Sequence, residues 1–174
     1  MGEPIDLGRL SYISAEAIGE PGRRHFRLRV MNAGGFTASI WLEKQQLAAL
    51  GDAIETVLTD EGYEHVPLLP DDVSGDPLVP TGEDDLELQV MQLSMGVNAE
   101  ERHIVLIAAG GPPGGDTTAT MTMEFDYRRG FELRGQIAAV IAAGRPLCPL
   151  CTAPIDLGGH MCVRRNGHHR MDEV

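Results

Sequence analysis

Cysteine, lysine and long apolar runs are all scarce in this 174-residue chain, and each scarcity removes a class of protein. The three cysteines all fall between residues 148 and 162. A secreted disulfide framework spreads its pairs along the chain, so thiols crowded together point to a metal instead. No stretch approaches the roughly 20 apolar residues that a membrane-spanning helix needs. The N-terminal MGEPIDLGRLSYIS also lacks a basic region followed by an apolar run. The expectation is a soluble cytoplasmic protein with no membrane partner. Basic residues number 14 against 26 acids, and the net charge of −12 repels phosphate backbones, which argues against broad nucleic-acid binding by the main body. Lys44 is the single lysine, a bias expected of GC-rich coding that says nothing about mechanism. GxGxxG, P-loop, HExxH and GxSxG patterns are missing, and GGPPGG is a proline-interrupted turn without a lysine, a poor phosphate cradle.

What is present suffices for a packed domain: 43% of residues are hydrophobic, enough to bury a core without disulfides. The segment RHFRLRVMNAGGFTASIWLEK alternates apolar and polar residues around Asn32 to Gly35, the pattern of a hairpin. Leu47, Leu50, Ile54, Val57 and Leu58 then repeat at helical spacing, predicting a helix over about 44–58. The second half has the same order: ERHIVLIAAG, a turn, TATMTMEFDY, and a helix over about 128–143 with Leu133, Ile137, Val140 and Ile141 on one face. An offset of 83 aligns Leu42 with Phe125, Glu43 with Asp126 and Leu50 with Leu133, while an offset of 77 aligns Phe26-Arg27-Leu28 with His103-Ile104-Val105. Candidate strands SYISAEAIG and LELQVMQLSMG open the two units.

The fold class expected is α+β. Two pseudo-repeated antiparallel strand-strand-strand-helix units share a core over residues 1–144, with repeat 1 at about 7–59 and repeat 2 at about 86–144. Residues 60–85 between them carry nine acids and no Lys or Arg, which predicts an exposed, solvated connector. Residues 145–174 form a small C-terminal zinc-binding knuckle.

That knuckle rests on the pattern C-x2-C-x8-H-x-C formed by Cys148, Cys151, His160 and Cys162. A Cys-x-x-Cys turn brings two sulfurs to one ion, and His160 and Cys162, two apart on an extended segment, face the same way. Gly158-Gly159 supplies the bend that folds one pair onto the other. Four borderline-soft donors point to one structural Zn2+ per chain, in a site closed to an activated water. His168 or His169 is an alternative fourth ligand. A redox Cys-x-x-Cys belongs between a strand and a helix start, whereas this one follows a helix end.

The run FRLRVMNAGGFTASIWLEKQQLAALGDAIETVL and the ending AAGRPLCPLCTAPIDLGGHMCVRRNGHHR resemble a family of bacterial proteins grouped as domain of unknown function 3090. The resemblance covers nearly the whole chain and is carried most specifically by Leu42 to Gln46, GRPLCPLC, Gly159 to Cys162, Arg164 and Asn166-Gly167. Val163, where a proline is common, and the long acidic connector depart from it. The resemblance implies no activity, but the family's genes often sit beside those of a histidine-phosphatase-like and a phosphoinositide-kinase-like protein, which implies a shared pathway or complex.

The leading expectation is a noncatalytic adaptor or regulatory protein that meets a protein partner through a basic surface of Arg164, Arg165, His168, His169 and Arg170. One alternative is a nucleic-acid-binding zinc module using the same arginines, which the tail's lack of aromatics disfavours. The other is an enzyme with a pocket between the repeats that holds His25, His103 or Asp126-Tyr127-Arg128. Arg24 and Arg102 precede the two histidines, and Glu43 and Asp126 are expected to assist the helix N-termini.

Overall fold

The structure is a computed structural model that describes residues 3–20, 22–67, 79–143, 148–151, 155 and 160–162. Its order is β1 (Ile5–Ile18), β2 (His25–Asn32), β3 (Thr37–Leu42), α1 (Lys44–Asp60), β4 (Leu86–Asn98), β5 (His103–Gly111), β6 (Ala119–Asp126) and α2 (Tyr127–Ala143). The molecule is α+β, as the alternation and helical spacing indicate. Each set of three strands is antiparallel, β1 to β2 to β3 and β4 to β5 to β6. Two parallel pairings, β3 with β4 and β1 with β6, join the sets into a closed six-stranded barrel.

Alternation along the strands fills this barrel. Phe26, Leu28 and Val30 of β2, Ala38, Ile40 and Leu42 of β3, Ile104, Leu106 and Ala108 of β5, and Met121, Met123 and Phe125 of β6 are all buried in one cluster. A one-residue step reverses the face a strand presents, which corrects the alignment of the hairpins. Phe26 pairs with Leu42 and Ile104 pairs with Phe125, so Phe26 corresponds to Ile104 at an offset of 78, not 77. The other choice would set buried Phe26 on half-buried His103.

Asn32 organises the first turn as expected: its Oδ1 accepts from Gly34 N at 3.0 Å and Phe36 N at 2.9 Å. Gly110 is required by backbone proximity, since a Cβ there would stand 2.0 Å from Gln89 O on β4. The helices start directly after β3 and β6. The Gln46 amide accepts from Glu43 N at 2.9 Å in a capping box, and Asp126 Oδ1 accepts from Arg129 N at 2.8 Å. Both helices face the barrel interior, where Gly130 of α2 approaches Ile104, Ile54 and Phe125. Among the described residues no helix is long and apolar enough to cross a membrane.

The connector is not uniformly solvated. Tyr63 N bonds Leu58 O at 2.8 Å and His65 stacks on Phe131 at 4.3 Å, fastening its start to the helices. At its far end the Asp84 side chain is only 3% exposed, because Arg29 Nε donates to it at 2.9 Å and Ser39 Oγ also bonds it. Residues 68–78, with Asp71, Asp72 and Asp76, lie outside the described residues.

Candidate metal centre

Cys148, Cys151, His160 and Cys162 come together beyond the end of α2, with all four ligand atoms within 4.8 Å of one another. Cys148 and Cys162 are buried and the other two half-buried. Cys148 Sγ lies 3.8 Å from Cys162 Sγ, and Cys151 Sγ lies 3.4 Å from His160 Nε2. An ion bound tetrahedrally at about 2.3 Å to sulfur and about 2.0 Å to nitrogen sets sulfur–sulfur edges near 3.8 Å and sulfur–nitrogen edges near 3.5 Å. The two separations match those edges, whereas a disulfide would need sulfurs at about 2 Å. The group is therefore close enough to hold a metal ion, with two of its separations at tetrahedral lengths.

Electrostatics favour the ionised, ligating form. The Cys148 thiol is lowered from 9.0 to about 6, chiefly by a hydrogen bond from His160, then by the backbone N–H groups of Cys151 and Leu150. Turn amides aimed at a sulfur are the usual second layer of a thiolate site. His160 completes the cluster. His168 and His169 lie outside the described residues, as do Arg164, Arg165, Arg170 and Gly158-Gly159.

The residues singled out in the body do not converge on one pocket. His25 is the exposed first residue of β2. His103 instead belongs to a cluster that sequence reading missed, with Nδ1 at 3.6 Å from Glu101 and 3.8 Å from Glu124. The three groups are near enough for a metal, but Arg9 already bonds Glu101 at 2.7 Å and Glu124 at 3.4 Å, so an internal cation balances the acids. The groove of about 600 Å³ between α1 and α2 is lined by Ala48, Gly51, Glu55, Arg134 and Gly135, among others. None of His25, His103 or Asp126 to Arg128 lines it.

A second missed network covers the outer face of β2 and β3. Arg27 reaches Glu16 at 2.7 Å and lies over the Trp41 ring at 5.5 Å, while Arg29 pairs with Asp84. Arg27 and Arg29 alternate with buried Phe26, Leu28 and Val30. That alternation placed them outside the core, and it was the one signal that counter-ions had to come from elsewhere.

Comparison with known proteins gives one assignment. A family model described as "Protein of unknown function (DUF3090)" matches residues 6–162, a span that takes in all of the barrel but the first residue of β1 and ends on the last cysteine. No curated protein matches the sequence.

Proposed function

The chain belongs to the DUF3090 family, and because that premise brings no activity with it, we propose from the metal centre that this is a noncatalytic zinc-binding adaptor or regulatory protein. The observation that carries this reading is the closed donor set, three thiols and an imidazole gathered within 4.8 Å. Zinc is the ion that this soft, tetrahedral set prefers, and with all four positions taken by protein it acts as a structural clamp, not a Lewis acid. The clamp draws Cys148 and Cys151 onto His160 and Cys162, and the arginines and histidines that follow Cys162 in the sequence are the residues read as meeting a protein partner. Phosphatase-like and kinase-like proteins are the partner classes suggested by the family resemblance.

We also read the two β-β-β-α halves as copies of one unit. Both first strands carry a bulge at corresponding points, between Leu10 and Tyr12 in β1 and between Val90 and Gln92 in β4. The parallel seams share a register at Ile40 with Leu88 and Met123 with Gly8, while the β1–β6 seam has a further bulge between Asp6 and Gly8 that β3–β4 lacks. Bulges are placed features, so coincident bulges support duplication more strongly than aligned apolar residues do.

The test is capture of the tagged full-length protein from its native cytoplasm in moderate salt, with Cys148→Ser alongside and bound proteins identified by mass spectrometry. A specific protein recovered with the native chain and lost with Cys148→Ser is the expected result. Recovery of RNA or DNA with steep salt dependence would replace the adaptor with a nucleic-acid module.

A further inference from the structure

We propose that two copies of this chain pair edge to edge through β4, antiparallel about a twofold axis at Met95. The inference goes beyond the adaptor reading and does not depend on the metal centre.

β4 is held on one edge by β5 along nearly its whole length, but on the other edge β3 pairs only with Leu86 to Gln89. From Met91 to Asn98 that second edge has no backbone partner among the described residues. The corresponding length of β1, beyond its pairing with β6 at Arg9, is served by α2. Arg129 donates to Ser11 O at 2.8 Å and the Gln136 amide accepts from Ala15 N at 3.1 Å. The positions of α1 matching Arg129 and Gln136 at the offset of 83 are Gln46 and Ala53. Gln46 is occupied in capping Glu43, and Ala53 has no polar atom to offer. Among the described residues, one half of the barrel thus closes its edge with side chains and the other leaves it open.

Met95 pairs with Leu106 as Ala15 pairs with Leu28. Met95, and two residues to either side Leu93 and Val97, therefore present backbone groups to the open edge. Exposed edges are normally guarded by charge or proline, yet Met91 to Asn98 (MQLSMGVN) contains neither. Side chains that would otherwise sit in the core are left part-exposed here: Leu93 and Met95 are half-buried and Val97 is 41% exposed.

A second copy is the occupant that fits. Around Met95 the strand is its own complement: Met95 meets Met95, Leu93 meets Val97 on the core face, and Ser94 meets Gly96 on the solvent face. Opposite residues share a face in an antiparallel pair, so apolar meets apolar and polar meets polar. Two molecules each carrying −12 repel over most of their surface, and a charge-free strip is where they can approach. A contact of this kind is isologous and stops at two copies.

Sedimentation equilibrium of the full-length, metal-loaded chain across the micromolar range tests this. The native chain is expected to be dimeric, and Met95→Lys, which sets two like charges opposite each other on the axis, should weaken the dimer by about a hundredfold or more. Far-UV circular dichroism and metal content report whether that variant keeps its fold. Should Met95→Lys fail to fold, amide exchange on the native chain decides the matter: the N–H groups of Leu93, Met95 and Val97 should exchange more slowly as concentration rises. A native monomer at every concentration, a dimer that survives Met95→Lys, concentration-independent exchange, or an edge filled by a different chain would each overturn the proposal.

Discussion

At the scale of single residues, charge is managed by a few hydrogen bonds that local sequence does not display. Cys148 is the clearest case: His160 first, and then two turn amides, hold its thiol down at about 6 against an ordinary 9.0. Because the folded value is the lower one, the interaction stabilises the knuckle above the ordinary thiol range and is lost as pH falls through about 6. Metal retention by the loaded protein, followed by dialysis across pH, should therefore weaken as pH falls below about 6, where protons compete for the Cys148 sulfur. The ligand spacing made these residues legible. Asp84 was not, because it sits in an acidic run that reads as solvated surface, and only folding brings Arg29 to it at 2.9 Å. Asp84→Ala leaves the mostly buried Arg29 guanidinium with Gly82 O at 2.8 Å but no counter-ion. It should cost about 2–3 kcal/mol in chemical denaturation, below the roughly 3–5 kcal/mol of a fully buried pair because Arg29 keeps that bond and some solvent.

At the scale of elements, sequence patterns located both helices and five strands to within a few residues, because each buries one face against a common core. The exception is β1, which starts at Ile5, six residues before the candidate SYISAEAIG, and the missed residues include those that pair with β6. Register was harder to read: aligning similar residues put the second hairpin one position out, and only the ladder shows Ile104 opposite Phe125. The glycines of α2 separate what packing demands from what helix propensity prefers. Gly130 lies against Ile104 and Phe125, where a Cβ would stand 2.8 Å and 3.6 Å from their side chains, whereas nothing lies within 4 Å of a Cβ at Gly135. Alanine gains about 1 kcal/mol over glycine within a helix, while overpacking a core costs about 1–3 kcal/mol. Gly135→Ala should therefore raise stability by about 0.5–1 kcal/mol. Gly130→Ala should leave it unchanged or lower it by up to about 2 kcal/mol, and paired denaturant titrations would compare the two directly.

At the scale of the whole molecule, barrel closure was the feature least available to sequence reading. It depends on two parallel seams between strands far apart in the chain, Ile5 beside Met121 and Ala38 beside Leu86, and no local pattern encodes which edges meet. The closed barrel and its two helices bury Leu28, Ile40, Ile54, Leu106, Met123 and Leu133 in one continuous cluster, and neither Cys148 nor Cys162 belongs to it. The barrel core is therefore expected to hold its fold with or without an ion at the Cys3His cluster. Removing the metal with a chelator should leave the main thermal transition and far-UV circular dichroism of the barrel within error of the loaded protein. In the same sample, amide resonances of residues 148–151 and 160–162 should collapse to unfolded positions and return on adding one equivalent of zinc. If the barrel transition falls together with the knuckle, the two are coupled and the metal supports the whole fold; if the resonances of 148–151 and 160–162 are unmoved, the Cys3His cluster is not held by a metal at all.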